Sequence, residues 1–282
     1  MFESGKEDVY VSPDDKMKFL DRIIVTNEEI DRIALYEQRT SMWFHERRFR
    51  VTGSNFGSVM GMNPYSTPDN VIHDMLWPGE FKGNTATQYG TDREPIIHNM
   101  VECHLTERQR LENSSTHVWV QPVGLIINRK YPYLGCSPDD AILIYDQRTR
   151  HLNIGLAEYK APYGHKKQFY ERCPPQYYCQ FQGQMAIGHD YLIRRFFPKN
   201  SGYTLAENAC HWTKFCVFSP EATQINDYNF DPIFWKQMLD TLKTFYYDQL
   251  IKRFLWKERG LLRDGEIEIE QLVKIRLPAM LT

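Results

Sequence analysis

The feature that most constrains the fold of this 282-residue chain is a set of three short apolar runs in its central part. The runs cover residues 118–127, 141–146 and 152–161 and are rich in β-branched and other apolar residues. Polar turn sequences at 128–133 and 146–151 separate them. Runs of this length and composition predict the strands of a small mixed sheet.

Patterns typical of helices flank the predicted strands on both sides. Before the strands, Thr26 begins a T-x-x-E capping box, and Ser54 and the Thr67-Pro68 pair are candidate helix starts. After the strands, two consecutive prolines open another helical pattern. We therefore predict helices over 28–40, 41–49, 55–62, 69–76, 85–104 with a break or a helix start near Pro95, within 168–188, and over 229–255. Two further strands are predicted over 191–197 and 211–219.

This order of elements favours an α/β (α+β) fold in one domain spanning residues 1–282. Residues 1–13 are expected to form a loose tail. The N-terminal helices would occupy about 14–60, the core about 85–200, and the C-terminal helix about 229–255. The expected centre is a small mixed β-sheet flanked by helices.

Composition excludes several classes of protein. A net charge of −2 excludes a polycation, so any nucleic-acid partner would be held by a local patch. The six cysteines form no C-x-x-C pair, which argues against a zinc ribbon, and Cys210, His211 and Cys216 are better explained as ordinary core residues than as a metal fragment. Without a long apolar run or a signal sequence, we expect a soluble, intracellular protein with no membrane partner.

The sharpest chemical pattern is Glu158-Tyr159-Lys160, which follows Asp139 by 19 positions. If the runs at 141–146 and 152–161 form a hairpin, alternation places Glu158 and Lys160 on one face, and Asp139 can meet them at one end. Two neighbouring carboxylates suit Mg²⁺ or Mn²⁺, with the carbonyl of Tyr159 as a further ligand and Lys160 beside the reacting phosphate. The same pattern also occurs as an ordinary ion pair on a protein surface.

Three further groups favour a site over a surface ion pair. Glu94, on a predicted helix, would bring a third carboxylate, although a solvated helix glutamate is the simpler alternative. Gln180 and Gln184 lie one turn apart on the helix that follows the E-x-K strand. The third group combines arginines with hydroxyls and suits a phosphate, although an exposed basic turn would look the same; it comprises Arg47, Arg48, Arg50, Thr52 and Ser54.

In this order the motifs resemble the lambda-exonuclease branch of the PD-(D/E)xK nucleases, the YqaJ-like viral recombinases. The resemblance covers about residues 43–196, and each motif is weak alone while the five in sequence are specific. The matching segments are Arg47 ahead of Val51-Thr52-Gly53-Ser54, Tyr89-Gly90 through Glu94, Ser137-Pro138-Asp139-Asp140, Glu158-Tyr159-Lys160-Ala161-Pro162, and Tyr177 through Gln180 and Gln184 to Met185.

The resemblance implies a restriction-endonuclease-like core and an Mg²⁺-dependent exonuclease, with Mn²⁺ able to substitute, that digests duplex DNA from its 5′ ends. It assigns catalysis to Asp139, Glu158, Lys160 and Gln180, and the cation to Asp139, Glu158, Tyr159 and nearby Glu94. A pocket for the terminal phosphate would comprise Arg47, Ser54 and Ser137. A single-strand annealing protein would be a partner, the oligomer would be a trimer or a monomer, and a viral protein would act in the host nucleus or cytoplasm.

Departures from the family pattern leave some assignments open. Asp140 stands where the family has glycine, and this additional acid would either disturb or enlarge the metal site. Arg48 beside Arg47 leaves the phosphate ligand ambiguous by one residue, and Gln184 is a further candidate site residue beside Gln180. The open alternatives are an endonuclease on the same fold and a non-catalytic DNA-binding module for recombination.

Overall fold

The computed structural model describes residues 10–79, 83–112, 115–164, 169–197, 200, 202–263 and 278. Its helices are α1 (Pro13–Asp21), α2 (Asn27–Ile33), α3 (Ser41–Arg47), α4 (Gly53–Val59), α5 (Pro68–Leu76), α6 (Thr85–Glu112), α7 (Pro175–Phe196), α8 (Pro232–Thr244) and α9 (Ile251–Glu258), with a π-helical turn at Phe245–Leu250 joining α8 to α9. Its strands are β1 (Val51–Thr52), β2 (Thr116–Pro122), β3 (Ile126–Ile127), β4 (Leu134–Cys136), β5 (Asp140–Asp146), β6 (His151–Lys160), β7 (Thr204–Leu205), β8 (Trp212–Ser219) and β9 (Ala222–Asn229).

The predicted mixed sheet is present as six strands. The main order is β2-β5-β6-β8-β9, and the short β7 also pairs with β6. Strands β5 and β6 form the predicted antiparallel hairpin, β6 runs parallel to β8, and β8 returns antiparallel as β9. A second, three-stranded sheet has the order β1-β4-β3. The run at 118–127 is therefore divided between two sheets.

Alternation along β6 divides its side chains between two helical layers. Ile154 and Leu156 belong to the main core, which includes Met185 of α7. Ala157 and Tyr159 belong to a smaller cluster that includes Val101 of α6. Because side chains alternate along a strand, Glu158 and Lys160 lie on the α7 face of the sheet and Tyr159 lies on the α6 face.

Two predicted helix starts are confirmed by side-chain capping. The Thr26 hydroxyl accepts from the backbone N–H of Glu29, whose carboxylate accepts from the Thr26 N–H. Thr67 forms the same reciprocal arrangement with Asn70, and Pro68 occupies the first helical position. Ser54 does not cap α4, because β1 leads directly into that helix and Thr52 is the N-cap. Ser54 therefore lies within the first turn.

Several other predictions of secondary structure were wrong. Residues 191–197 are not a strand, because Tyr191 and Leu192 continue the buried stripe of α7. Pro95 does not break α6, since it lies on an exposed side where water can replace the missing donor. The predicted helix 28–40 ends at Ile33, and the one at 229–255 starts only at Pro232. The predictions did not include α1, the short strands β1, β4 and β7, or the polar edge strand β9. Residues 1–9 of the predicted tail lie outside the described residues.

In the part of the chain that the structure describes, every helix is too short or too polar to cross a lipid bilayer.

Helices α4 and α7 approach each other closely where glycines leave room. A methyl group on Gly183 would lie 2.2 Å from the ring of Phe56, which is fully buried. By contrast, a methyl group on Gly53 would meet Gln180 and Gln184 at 3.6 and 3.7 Å, which are ordinary contacts. The close approach matters because α4 carries Ser54 and α7 carries both glutamines.

We expect Gly183→Ala to lower the free energy of unfolding by about 1–3 kcal/mol, because overpacking a closed core displaces its neighbours. The matched control is Gly53→Ala, which should leave stability unchanged or raise it by about 0.5–1 kcal/mol, since it restricts only the unfolded chain. Urea unfolding of both variants measures the two effects. A Gly183→Ala protein as stable as the parent would contradict the packing described here.

Candidate active site

Glu158 is almost fully buried, with 2% of its surface exposed, and its carboxylate accepts hydrogen bonds from three side chains. Gln180 Nε2 donates to its Oε1 at 2.6 Å, and Gln184 Nε2 donates to its Oε2 at 2.7 Å. The ammonium of Lys160 also donates to Oε1. Both glutamines face the strand because they are one turn apart on α7, as the sequence predicted. The carboxylate is thus oriented by three donors from two elements.

Asp139 stands just before β5 and is fixed against β6. Its Oδ2 accepts from the backbone N–H of Tyr159 at 2.6 Å, and its own N–H donates to the carbonyl of Ala157 at 3.2 Å. Burial and the neighbouring Glu158 carboxylate raise the pKa of Asp139 well above its usual value, and Lys160 only partly offsets them. Two close carboxylates that disfavour joint ionisation form an arrangement that a cation would stabilise.

Lys160 is the last residue of β6 and is the cation closest to this pair. Burial by itself would lower its pKa, but the carboxylates of Glu158 and Asp139 raise it above its usual value. Its Nζ also lies 4.9 Å from the centre of the Tyr177 ring, on α7. Lys160 is therefore charged at neutral pH and is held between the glutamate and an aromatic face.

Glu94 reaches the same region from α6, but it already has a partner. Arg39 Nη2 lies 2.5 Å from Glu94 Oε1. Glu94 and Asp139 line one cleft of about 630 Å³, and the Glu94 charge contributes to the raised pKa of Asp139. The structure thus places Glu94 within electrostatic range of Asp139, without a direct contact to it among the hydrogen bonds and ion pairs of the described residues.

Asp140 lies on the other face of the sheet from Glu158. Its Oδ2 accepts the hydroxyl of Tyr159 and lies 2.9 Å from His98 Nδ1 on α6. Burial raises the pKa of Asp140, and these two hydrogen bonds only partly offset that effect. Asp140 therefore joins the strand to α6 and does not contact the donors that hold Glu158, although it lines the same cleft as Asp139 and Glu94.

Arg47, Ser54 and Ser137 come together around one side chain that the sequence analysis did not single out, Trp43. The Arg47 guanidinium stacks 4.0 Å from the Trp43 ring centre, and its Nη2 donates to Ser54 Oγ at 3.3 Å. Trp43 Nε1 donates to Ser137 Oγ at 3.3 Å. The available signal was spacing, because Trp43 and Arg47 are one helical turn apart on α3.

Of the three neighbouring arginines, Arg47 is the one that contacts a hydroxyl of this group, that of Ser54. Burial lowers the pKa of Arg47 to about 10, so it remains charged at neutral pH, and no carboxylate of the described residues pairs with it. Arg48 is exposed and lies over the Phe49 ring. Arg50 is buried, and its nitrogens donate to the carbonyls of Pro132, Glu46 and Ile23. Arg50 is therefore a structural residue.

The residues present fit a hard divalent cation, although they do not form a closed cage. Among the described residues, no group of three or more His, Cys, Asp or Glu side chains is placed to hold a metal ion. Cys210, His211 and Cys216 therefore do not form such a group. Asp139 and Glu158 supply two carboxylates, the number with which Mg²⁺ is commonly bound alongside water and substrate phosphate. The buried Oε1 of Gln184 has no hydrogen-bond partner among the described residues, and a hydrated cation would bring it a donor.

Comparisons with known proteins identify the family and the fold of the chain. The family of YqaJ-like viral recombinase domains matches residues 42–191, more than half of the chain, and the chain belongs to this family. An alkaline exonuclease (LHK-Exo) from Laribacter hongkongensis has a similar structure, with 22% identity and a TM-score of 0.50 over 78% of this chain and 97% of its own. LHK-Exo in complex with dAMP is 20% identical, with a TM-score of 0.50 over 78% and 98% of the two chains.

No curated protein sequence matches this chain. At these identities the structural similarity establishes the fold. The predicted family and the predicted fold class are both confirmed, and a nuclease enzyme is consistent with them.

Proposed function

We propose that the chain is an Mg²⁺-dependent exonuclease that hydrolyses phosphodiester bonds from the 5′ ends of duplex DNA. The observation that carries this proposal is the arrangement of Glu158, which is held by Gln180, Gln184 and Lys160 beside the perturbed carboxyl of Asp139. Perturbed, buried ionisable groups that converge in this way are typical of catalytic sites. The activity would serve DNA recombination, repair or viral genome processing.

Asp139 and Glu158 would hold the cation, with the Tyr159 carbonyl and Glu94 as further ligands and Mn²⁺ able to replace Mg²⁺. Bound there, the cation would neutralise charge on the scissile phosphate and favour a nucleophilic water. Gln180 and Gln184 keep the Glu158 carboxylate in one orientation, so little reorganisation is needed when substrate arrives. Lys160 would donate to the attacking water or to the phosphate oxygens as negative charge develops on them.

The cluster of Arg47, Ser54 and Ser137 would bind the terminal 5′ phosphate. The Arg47 guanidinium pairs with no carboxylate of the described residues and contacts the Ser54 hydroxyl, while the Ser137 hydroxyl lies on the neighbouring Trp43. Together these groups would supply several donors to phosphate oxygens. The relative solved with dAMP was crystallised with a nucleotide that carries a phosphate, which supports a site for that group on this fold. Binding the terminal phosphate would direct the enzyme to ends.

Double-stranded DNA ends are thus the proposed partner, and a single-strand annealing protein would receive the exposed strand. A homotrimer and a monomer are both compatible with this scheme, and a molar-mass measurement in solution separates them. For a viral protein, the site of action would be the nucleus or cytoplasm of the host cell.

The test is incubation with Mg²⁺ and either linear duplex or covalently closed circular DNA. We expect the linear substrate to be digested and the closed circle to stay intact, because only the former presents a terminal phosphate. Equal cleavage of both would favour an endonuclease on the same fold. Retention of both substrates, with binding but no cleavage under Mg²⁺ or Mn²⁺, would favour the non-catalytic module.

A further inference from the structure

One positively charged side chain in the cleft, that of Arg39, has no role in the site described so far. Arg39 and Glu94 form an ion pair at 2.5 Å in which the two side chains are 39% and 34% exposed. Both residues line the cleft of about 630 Å³ that also contains Asp139. No second carboxylate of the described residues pairs with Arg39, so its positive charge depends on Glu94 alone.

The loop that carries Arg39 is fixed to the segment before Asp139. Gln38 Nε2 donates to the carbonyl of Val123 at 2.9 Å and lies 3.5 Å from that of Pro138. Arg39 itself has a φ of 70°, in the left-handed region that arginine rarely adopts. The loop therefore presents the arginine at the cleft from a backbone conformation that its anchored surroundings maintain.

The Glu94 carboxylate would be attracted by two positive groups, its present partner Arg39 and a divalent cation at the proposed site. Its negative charge adds to the larger effects of burial and of Glu158, which raise the pKa of Asp139. A divalent cation held by Asp139 and Glu158 would attract Glu94 more strongly than a half-exposed guanidinium does, because exposed ion pairs contribute little. Once Glu94 turns to the cation, Arg39 would remain in the cleft as an unpaired positive charge.

We propose that Arg39 is a further DNA-binding residue. Without a divalent cation, Arg39 is paired with Glu94. When a divalent cation binds Glu94, Arg39 is released and binds a backbone phosphate of the DNA strand in the cleft. This inference rests on the proposed function. It predicts that Arg39 weakens the binding of a divalent cation and strengthens the binding of DNA. A purely structural role for Arg39 would not produce opposite signs.

The first experiment measures Mn²⁺ binding to the full-length protein without DNA, by the electron paramagnetic resonance signal of free Mn²⁺. Arg39→Ala should bind Mn²⁺ about two- to fivefold more tightly, the range that corresponds to losing one exposed ion pair. In an Arg39→Ala/Glu94→Gln double variant the gain should vanish relative to Glu94→Gln, because the carboxylate that mediates it is gone.

The second experiment measures binding of a 5′-phosphorylated duplex with Ca²⁺ in place of Mg²⁺, over a range of salt concentrations. Arg39→Ala should weaken binding, and the slope of log affinity against log salt should fall in magnitude by about 1, the loss of one phosphate contact. Arg108→Ala is the matched control, since it removes a half-exposed arginine paired with Glu112 near the far end of α6. Neither measurement should change in that control.

Three outcomes would overturn the inference: unchanged or weaker Mn²⁺ binding by Arg39→Ala, an unchanged salt slope, or a parent protein that binds no Mn²⁺. The proposed function fails separately, if the parent protein cuts no DNA with any divalent cation. Because Mn²⁺ and DNA binding are measured without cleavage, the two failures are distinguishable.

Discussion

Lys160→Ala should reduce the rate of DNA hydrolysis about 100- to 1000-fold at saturating Mg²⁺, the loss typical of removing one group that stabilises developing charge. The structure places this ammonium against Glu158 and within electrostatic reach of Asp139. Glu158 would still be oriented by Gln180 and Gln184, so the fold and cation binding should persist. Single-turnover cleavage of a labelled duplex measures the rate, and Mn²⁺ binding checks that the ligands remain.

A lysine of the neighbouring strand provides the control for this substitution. Lys214 on β8 is also buried, pairs with Asp227, and is in register with Ala157, which places it on the α6 face. Lys214→Ala removes an equal charge from the same sheet and should keep the parental rate. If Lys160→Ala cleaves DNA as fast as Lys214→Ala does, the catalytic role of Lys160 is wrong.

Arg47→Ala is expected to slow digestion of 5′-phosphorylated duplexes far more than digestion of 5′-hydroxyl duplexes. A charged hydrogen bond to phosphate contributes about 1.5–3 kcal/mol, so kcat/KM for the phosphorylated end should fall about 10- to 150-fold. The 5′-hydroxyl end lacks this contact in the parent protein and should change little. Parallel time courses on the two substrates give the ratio directly.

The same substitution at Arg48 separates two adjacent residues that sequence alone leaves ambiguous. Arg48 is exposed over Phe49, while Arg47 contacts Ser54 and stacks on Trp43. We therefore expect Arg48→Ala to have a much smaller effect on the phosphorylated substrate. Arg47→Lys should recover only part of the loss, because lysine keeps the charge but lacks the planar fork. An equal loss on both kinds of end would argue against a phosphate pocket at Arg47.

The parts of this site that follow local periodicity were predictable from sequence. Strand alternation is enough to place Glu158 and Lys160 on one face of β6, and helical spacing is enough to place Gln180 and Gln184 together. The hairpin itself follows from two short apolar runs joined by a polar turn. In each case the relation is set by residues close together in the chain.

The parts that depend on distant partners were not predictable in this way. Asp140 is adjacent to Asp139, yet its contacts with Tyr159 and His98 show that it faces the other layer. Arg39 pairs with Glu94, which lies 55 positions further along the chain, and no local pattern indicates this contact. The strand predicted over 191–197 is instead the end of α7, because a short apolar run fits a strand as well as a buried helix end.

The segment Ser137-Pro138-Asp139 links two functions through a single residue. Ser137 accepts from Trp43 in the proposed phosphate pocket, and Asp139 lies in the proposed cation site. One intervening residue keeps their Cα atoms within about 7 Å, and proline removes much of the remaining backbone freedom. Under the proposed function, this segment would fix the spacing between the phosphate pocket and the cation site. The distance from the recognised end to the cleaved bond would be set by the chain itself, so successive cuts would release products of one uniform length.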